Sequence, residues 1–359
     1  MAGRIFQIVE CLVEADGVTH TARTFDTLLA PEGVERGILT LYAAPALRAE
    51  ARPLESVTWQ HGDAVVVHLW GPSRLESVLA SFRGPKAIYF HNITPPEFFP
   101  VGSASHRETL AGWEQLPRLA QQADLWLAPS AFNLAVLEER ARCRRPGYVI
   151  PPAVDAAEER ARPADPVRLE TLQARDEVNV LFVGRLAPNK AQDRVMEVFE
   201  HYHSRINGRS RLHLVGNGSG NPLYARALAR LRARLAARDA IELPGKVSDQ
   251  ALTAYYRTAD LFLCLSEHEG FCLPPLTAAA HGVPVIARAA AALPETIGPA
   301  AVLVHAHDPA RIAELVHLLL EDGALRERLQ AAAQAHLARF APAAVRAAWQ
   351  PALAALRQS

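Results

Sequence analysis

The run Leu261-Phe262-Leu263-Cys264-Leu265-Ser266-Glu267-His268-Glu269-Gly270-Phe271-Cys272-Leu273-Pro274-Pro275-Leu276-Thr277, closing on His281-Gly282-Val283-Pro284-Val285-Ile286-Ala287, decides how the chain is read. Its first five residues are apolar without interruption and read as a buried strand. That strand delivers a polar loop carrying two carboxylates and an imidazole. Gly270 gives the loop room for a sharp turn. Pro274 or Pro275 opens a short helix and Gly282 closes it, before a second apolar strand. Loop amides and the helix N-terminus together make an anion-friendly pocket, in which a carboxylate can hold sugar hydroxyls. A Glu-rich loop in isolation would be a solvated turn; the apolar strands around this one argue against that.

The same alternation extends in both directions. Upstream, strands are expected at Val178–Val183, Leu212–Val215 and Ile241–Leu243, and downstream at Ala301–Val304. Asp308 as N-cap with Pro309 at the first helical position starts a helix over Ala310–Leu320. The first half repeats the pattern, with strands at Ile5–Val9, Ile38–Tyr42, Ala64–Leu69, Lys86–Phe90, Leu125–Ala128 and Tyr148–Ile150. Helix-period stretches lie at Thr19–Leu29, Leu75–Phe82 and Phe132–Arg142. Strands alternating with helices imply parallel sheets covered on both faces. The expected organisation is a Rossmann-like domain over 1–154, a Pro- and charge-rich linker over 155–175, a second Rossmann-like domain over 176–340, and a C-terminal helix over 341–359 packing back toward the first. Two doubly wound domains would face a cleft, with ligands at the carboxyl ends of the strands.

Composition is consistent with this. In a chain of 359 residues, half are apolar and 21% are charged, which suits large buried cores. Lys plus Arg and Asp plus Glu both number 38, so there is no basic excess for nucleic acid. No C-x-x-C pair occurs, and Cys11 and Cys264 read as buried reduced thiols of a cytoplasmic protein. No apolar stretch is long enough to span a membrane. Arg226, Arg230, Arg232, Arg234 and Arg238 read as a solvated helix face; peripheral contact with anionic lipid on the inner membrane is the alternative. Trp70 and Trp126 read as packing residues.

Two further loops follow strands. In Val183-Gly184-Arg185-Leu186-Ala187-Pro188-Asn189-Lys190, Gly184 allows close backbone approach and a helix is expected to begin near Asn189. Arg185 and Lys190 beside a helix N-terminus suit a pyrophosphate. Gly216-Asn217-Gly218-Ser219-Gly220 precedes a helix near Pro222; its spacing is G-x-G-x-G and not the dinucleotide fingerprint. His68 and His91 each sit at a strand end.

Together these residues resemble the GT-B glycosyltransferases of family 4, also called glycosyltransferase group 1. The phosphate motif G-R-x-x-x-x-K is met by Gly184, Arg185 and Lys190, and E-G-F-x-L-P by Glu269 to Pro274. Ala259–Leu261, Pro294-Glu295-Thr296, Ala123-Asp124 through Asn133, and Ile150–Asp155 also fit, so the resemblance covers nearly the whole chain. It implies that Arg185 and Lys190 neutralise the departing diphosphate, that Glu269 contacts the donor sugar, and that His91 lies near that sugar. These four are the expected catalytic residues. Donor-binding positions are Gly17, Gly184, Gly216, Gly218, Glu267, His268, Gly270, Phe271, Cys272, Leu273 and Thr277. The loop Ala15-Asp16-Gly17-Val18 resembles the family's glycine loop, with Ala15 where glycine is common. The family's second Glu, eight residues after the first, is here Thr277. It usually grips the ribose, so ribose binding is expected to be weaker or differently arranged, with Glu267 a candidate substitute.

The expected reaction is a retaining hexosyl transfer from a nucleotide sugar to a glycan or lipid-linked acceptor in polysaccharide biosynthesis, leaning toward mannose from GDP-mannose. No D-x-D triplet occurs, so no metal or other cofactor is expected. The alternatives are another GT-B reaction, such as an epimerase or a phosphorylase, and a weak or inactive partner protein that kept the fold.

Overall fold

The computed structural model describes residues 3–14, 16–30 and 35–358; the expectation placed on Ala15 lies outside them. The chain folds as two compact α/β units, one made of residues 1–153 and 340–359 and the other of residues 154–339.

The first unit contains β1 (Ile5–Leu12), α1 (Gly17–Leu28), β2 (Arg36–Ala43), β3 (Ala51–Pro53), β4 (Ala64–Leu69), α2 (Glu76–Ser81), β5 (Lys86–Phe90), α3 (Ala104–Gln122), β6 (Leu125–Ala128), α4 (Ala131–Arg140) and β7 (Gly147–Val149). Its seven strands are all parallel, in the order β3-β2-β1-β4-β5-β6-β7. Every residue of β4 is buried. Alternate side chains point to opposite faces. Val65, Val67 and Leu69 enter one core with Leu79, Leu116 and Leu137 of α2, α3 and α4. Ala64 and Val66 enter the other, with Phe25 of α1. The nineteen-residue α3, capped by Ser103 accepting from the His106 amide, lies in a stretch that periodicity left unassigned.

The second unit contains α5 (Ala156–Ala161), α6 (Pro166–Gln173), β8 (Val178–Val183), α7 (Gln192–Arg205), β9 (Ser210–Val215), α8 (Pro222–Arg234), β10 (Ile241–Gly245), α9 (Asp249–Thr258), β11 (Leu261–Cys264), α10 (Leu273–Ala280), β12 (Val285–Arg288), α11 (Leu293–Thr296), β13 (Ala301–Val304), α12 (Pro309–Glu321) and α13 (Gly323–Leu337). Its sheet is parallel in the order β10-β9-β8-β11-β12-β13. The stretch read as a linker is largely helical. Asp155 caps α5 and Asp165 caps α6 with Pro166 behind it, so the acidic and proline residues that suggested a linker are helix starts. Arg160 Nη1 donates to the Ala280 carbonyl at 3.0 Å, tying α5 to α10.

The last helix, α14 (Pro342–Gln358), belongs to the first unit. Val345, Trp349, Ala352, Leu353 and Leu356 form one stripe at helical spacing, packed on Ile5, Phe25, Val66 and Tyr89. Trp349 meets Phe25 edge-on, with ring centroids 4.9 Å apart. No described helix is long and apolar enough to cross a membrane.

Each sheet places its first strand centrally and reverses its winding direction there. Loops after β1 and β4 in one unit, and after β8 and β11 in the other, therefore flank the switch point, where a crevice opens at the strand ends.

Candidate active site

In the second unit the loop after β8 is built before any charge is added. The Gly184 amide donates to Val215 at 2.9 Å and the Leu186 amide to Asn217 at 2.9 Å, joining this loop to the one after β9. A Cβ on Gly216 would lie 1.9 Å from the Gly184 carbonyl oxygen, so the two backbones are in direct contact there. A Cβ on Gly218 would fall 2.9 Å from that of Ala225 and 3.1 Å from Leu186. Gly216 thus serves loop-on-loop packing and Gly218 the packing of its loop on α8 and Leu186, a requirement independent of any nucleotide. The helix expected near Asn189 begins at Gln192. Pro188–Lys190 form a single 3-10 turn, and Ala191 adopts a left-handed backbone (φ 51°) that separates the turn from α7.

That turn presents Lys190 to the loop after β11. Its Nζ lies 2.6 Å and 2.5 Å from the two carboxylate oxygens of Glu269, a 79-residue separation closed by one ion pair. The side chains are 18% and 7% exposed. Burial acts to lower the Lys190 pKa, but the Glu269 carboxylate outweighs it and the ammonium is held above its ordinary value. Arg185 is exposed, near enough for its charge to oppose that of Lys190. Two cations and one carboxylate therefore share the crevice.

Asn189 aligns the two loops and was not singled out as a site residue from the sequence. It is buried; its Nδ2 donates to the His268 carbonyl at 3.0 Å, and its own carbonyl accepts the Glu267 amide at 2.8 Å. Gln192, fully buried, donates from Nε2 to the Arg185 carbonyl at 2.8 Å. The available signal was two amide side chains flanking the motif lysine. Glu267 is engaged by Arg194 at 2.7 Å and faces Arg288 at 3.6 Å, so its carboxylate is already neutralised. His268 is pushed down to about 4, first by burial, and is a neutral ring at pH 7.

Beyond Gly270 the chain turns through Cys272, whose left-handed backbone (φ 75°) sets the start of α10. Phe271 is buried and Leu273 is the first residue of α10. A hydrogen bond with Cys264, then burial, pushes the Cys272 thiol up, which keeps it protonated. Thr277 lies in α10, half-buried, its carbonyl accepting the His281 amide at 3.1 Å. Gly282 (φ 80°) ends this helix.

In the first unit, His91 follows β5. Its amide donates to Leu69 at 2.8 Å and its Nε2 lies 2.8 Å from His68 Nδ1. His68 is buried, its Nε2 3.0 Å from Gln7 Oε1. Gly17 is the first residue of α1, whose N-cap Asp16 accepts the Thr19 amide at 3.0 Å; a Cβ there would meet nothing within 4 Å. Trp126 is fully buried, but Trp70, read as a packing residue, is 51% exposed at the end of β4. The strand has ended, and the side chain leaves the core with the loop.

Residues 168–336 match the family model described as glycosyl transferases group 1. The D-inositol 3-phosphate glycosyltransferase of Geodermatophilus obscurus is 36% identical over 200 residues, 54% of this chain and 43% of the relative. That of Nocardia farcinica is 29% identical over 307 residues, 83% of this chain and 67% of the relative. The match thus spans less than half the length of the first relative. Anabaena HepE, solved with UDP and glucose, superposes with a TM-score of 0.76 over 98% of this chain and 99% of its own, at 17% identity. The fold is GT-B, with two Rossmann-like units.

Proposed function

We propose that the protein is a glycosyltransferase that moves a hexose from a nucleoside diphosphate sugar to a hydroxyl acceptor, by a retaining reaction that needs no metal. The carrying observation is the Lys190–Glu269 pair beside Arg185, inside the segment matching the family model. As the bond between anomeric carbon and diphosphate breaks, positive charge grows on the sugar and negative charge on the leaving oxygen. Arg185 and Lys190 supply the opposing charge, stabilisation that strengthens as the transition state forms. An incoming diphosphate competes with Glu269 for Lys190. The carboxylate released from that pair is then free to accept hydroxyl hydrogen bonds from the hexose, so one contact couples leaving-group and sugar recognition.

For the donor, HepE was solved with UDP and glucose. The D-inositol 3-phosphate glycosyltransferases suggest a phosphorylated polyol as acceptor beside the glycan or lipid-linked one expected from sequence. UDP-hexose and GDP-mannose are the two donors to compare. A thermal-shift and calorimetric screen against UDP, GDP, ADP and their hexose conjugates, followed by product analysis with labelled donor, tests the proposal. Binding of one nucleoside diphosphate and transfer of label with retained anomeric configuration is the expected result. Absence of binding to all three identifies a scaffold that kept the fold.

A further inference from the structure

The second unit contains two cysteines, Cys264 and Cys272, and the proposed reaction uses neither sulfur. Cys264 is the last residue of β11 and pairs in register with Ala287 of β12, so the sheet holds it in place. The chain then runs through the polar loop and turns at Cys272, with a left-handed backbone, into α10. That turn brings the second thiol back to the end of the strand, where it hydrogen-bonds to the first. The two sulfurs thus meet at the base of the segment 265–271, which carries Glu267, His268 and Glu269.

The two thiols differ in a way that gives them an order. Cys264 is 2% exposed, whereas Cys272 is partly exposed. Cys264 Sγ also lies 3.5 Å from Oγ of the buried Ser266. A Cys264 thiolate accepts from the Ser266 hydroxyl and from the Cys272 thiol, so the first proton to leave the pair is that of Cys264. Cys272 is the sulfur that a small solute reaches, and Cys264 is the better nucleophile behind it. Cys11 and Cys143 lie in the first unit, outside this pair.

We infer that Cys264 and Cys272 form a redox modification site, which a hydroperoxide converts to a disulfide that shifts the loop carrying Glu269. In the first step the Cys272 sulfur attacks one oxygen of hydrogen peroxide. The S–O bond forms, the O–O bond breaks, and the departing hydroxide takes the thiol proton as water, leaving a sulfenic acid. In the second step the Cys264 sulfur attacks the sulfenic sulfur. The S–S bond forms, the S–O bond breaks, and the hydroxide leaves with the Cys264 proton as a second water. Two thiols and one peroxide give one disulfide and two waters; each sulfur gives up one electron and the peroxide takes both. The sulfurs must close to about 2.05 Å. Because the sheet holds Cys264, that closure falls on Cys272 and the loop before it. There the Glu267 amide is held by the Asn189 carbonyl at 2.8 Å, and Glu269 meets Lys190. The disulfide loosens both contacts. Its effect on sugar binding rests on the glycosyltransferase reading; the disulfide itself does not.

The test treats the full chain with hydrogen peroxide, blocks the remaining thiols with iodoacetamide and digests with trypsin. Cleavage after Arg257 and Arg288 releases residues 258–288, which contain Cys264 and Cys272 and neither of the other cysteines. This peptide is expected to be unalkylated and lighter by two hydrogens, and dithiothreitol before blocking should restore both alkylation sites. A peptide alkylated at both cysteines, or one with Cys272 oxidised to a sulfinic acid and Cys264 alkylated, overturns the proposal without recourse to any variant. Cys264→Ala should leave the sulfenic acid on Cys272 to be captured by dimedone; no adduct there defeats the order of attack. Amide hydrogen exchange at Glu267 should be faster in the oxidised protein, and an unchanged rate rules out the loop shift. Affinities for UDP-glucose and UDP, or for GDP-mannose and GDP, are then compared, using whichever pair calorimetry shows to bind the reduced protein. The preference for the sugar nucleotide over the bare diphosphate should fall about tenfold on oxidation, the worth of one charge-assisted hydrogen bond. A crosslinked protein with that preference intact removes the effect on the sugar. If neither pair binds the reduced protein while the crosslink forms, the functional proposal falls and the disulfide stands.

Discussion

The two units share a topology and a switch point, yet they furnish it with a different balance of charge and neutral hydrogen bonds. Beside β8 and β11 the crevice is ionic: Lys190 on Glu269, Glu267 between Arg194 and Arg288, Arg185 exposed. Beside β1, β4 and β5 an amide and two imidazoles are joined by single hydrogen bonds, next to one ion pair, Arg74 on Glu10, whose arginine is largely exposed. Charge is suited to a leaving group that gains charge, because only an interaction that strengthens in the transition state raises turnover. If the comparison is sound, variants at Lys190 and Arg185 should cost turnover first, and variants in the hydrogen-bonded set should show first in stability and its pH dependence.

The largest effect is expected at Lys190. Lys190→Ala should lower turnover roughly a hundredfold or more, as removal of a transition-state donor does. It also leaves Glu269 buried without its cation, and loss of one partner of a buried pair costs about 3 kcal/mol in denaturant unfolding. Arg185→Ala should match the kinetic loss with stability changed by less than about 0.5 kcal/mol, since that residue is exposed. Equal stability losses in both, with turnover intact, would break the division of roles. Lys190 stability linkage runs in the same sense. Its folded pKa is raised, so the pair's contribution is complete below the ordinary lysine value and fades as pH climbs through the folded one.

Next is Gly216→Ala. The added methyl would sit 1.9 Å from the Gly184 oxygen, and neither backbone can yield without parting the loops after β8 and β9. Overpacking of this kind costs about 2 kcal/mol, read in the same unfolding experiment. Donor affinity should fall with it, because Gly184 leads directly into the Arg185–Lys190 turn.

These residues also show what the sequence could and could not disclose. The strands were legible because parallel strands are apolar runs: Ala64–Leu69, Lys86–Phe90, Leu125–Ala128 and Val178–Val183, largely buried, and the half-buried edge strand Ala301–Val304 were read to the residue. Helix α3 was not, because its buried stripe is diluted by polar residues and interrupted by Pro117. Arg185, Lys190 and Glu269 announced themselves through their motifs. Asn189, Gln192 and Gln7 did not, because their work is to satisfy carbonyls brought near by the fold. Gln7 did leave a signal: one amide inside the apolar run of β1, where a buried polar group needs a partner. The glycines were legible as glycines, but the sequence did not show that Gly216 and Gly218 also have protein packed beside them.

A further effect is read by pH. His68 is pushed down to about 3 by burial alone. The unfolded ring takes a proton near 6.5 and the folded ring does not, so stability from this group is complete above about pH 6.5 and lost as pH falls toward the folded value. The slope is about 1.4 kcal/mol per pH unit for each such ring. Unfolding free energies measured between pH 7 and 4.5 should therefore decline, and His68→Gln should flatten the decline by about one proton's worth. An unchanged slope would mean that His68 is protonated in the folded protein, and the neutral character assigned to the hydrogen-bonded set would go with it.

The smallest stability effect is expected at Gly17. A Cβ there meets nothing within 4 Å and the residue already opens α1, so Gly17→Ala should change stability by no more than about 0.5 kcal/mol, in the stabilising direction if at all. That is the opposite of Gly216, and the contrast is informative. Gly216 is glycine because protein fills the space beside it. If Gly17 is glycine because a substrate fills the space beside it, the alanine variant should fold normally, keep its turnover number and raise the KM for the sugar donor. An unchanged KM would remove Gly17 from the donor site and leave its helix start as a purely structural feature. A fall in turnover at constant KM would move the loop after β1 into the chemistry instead.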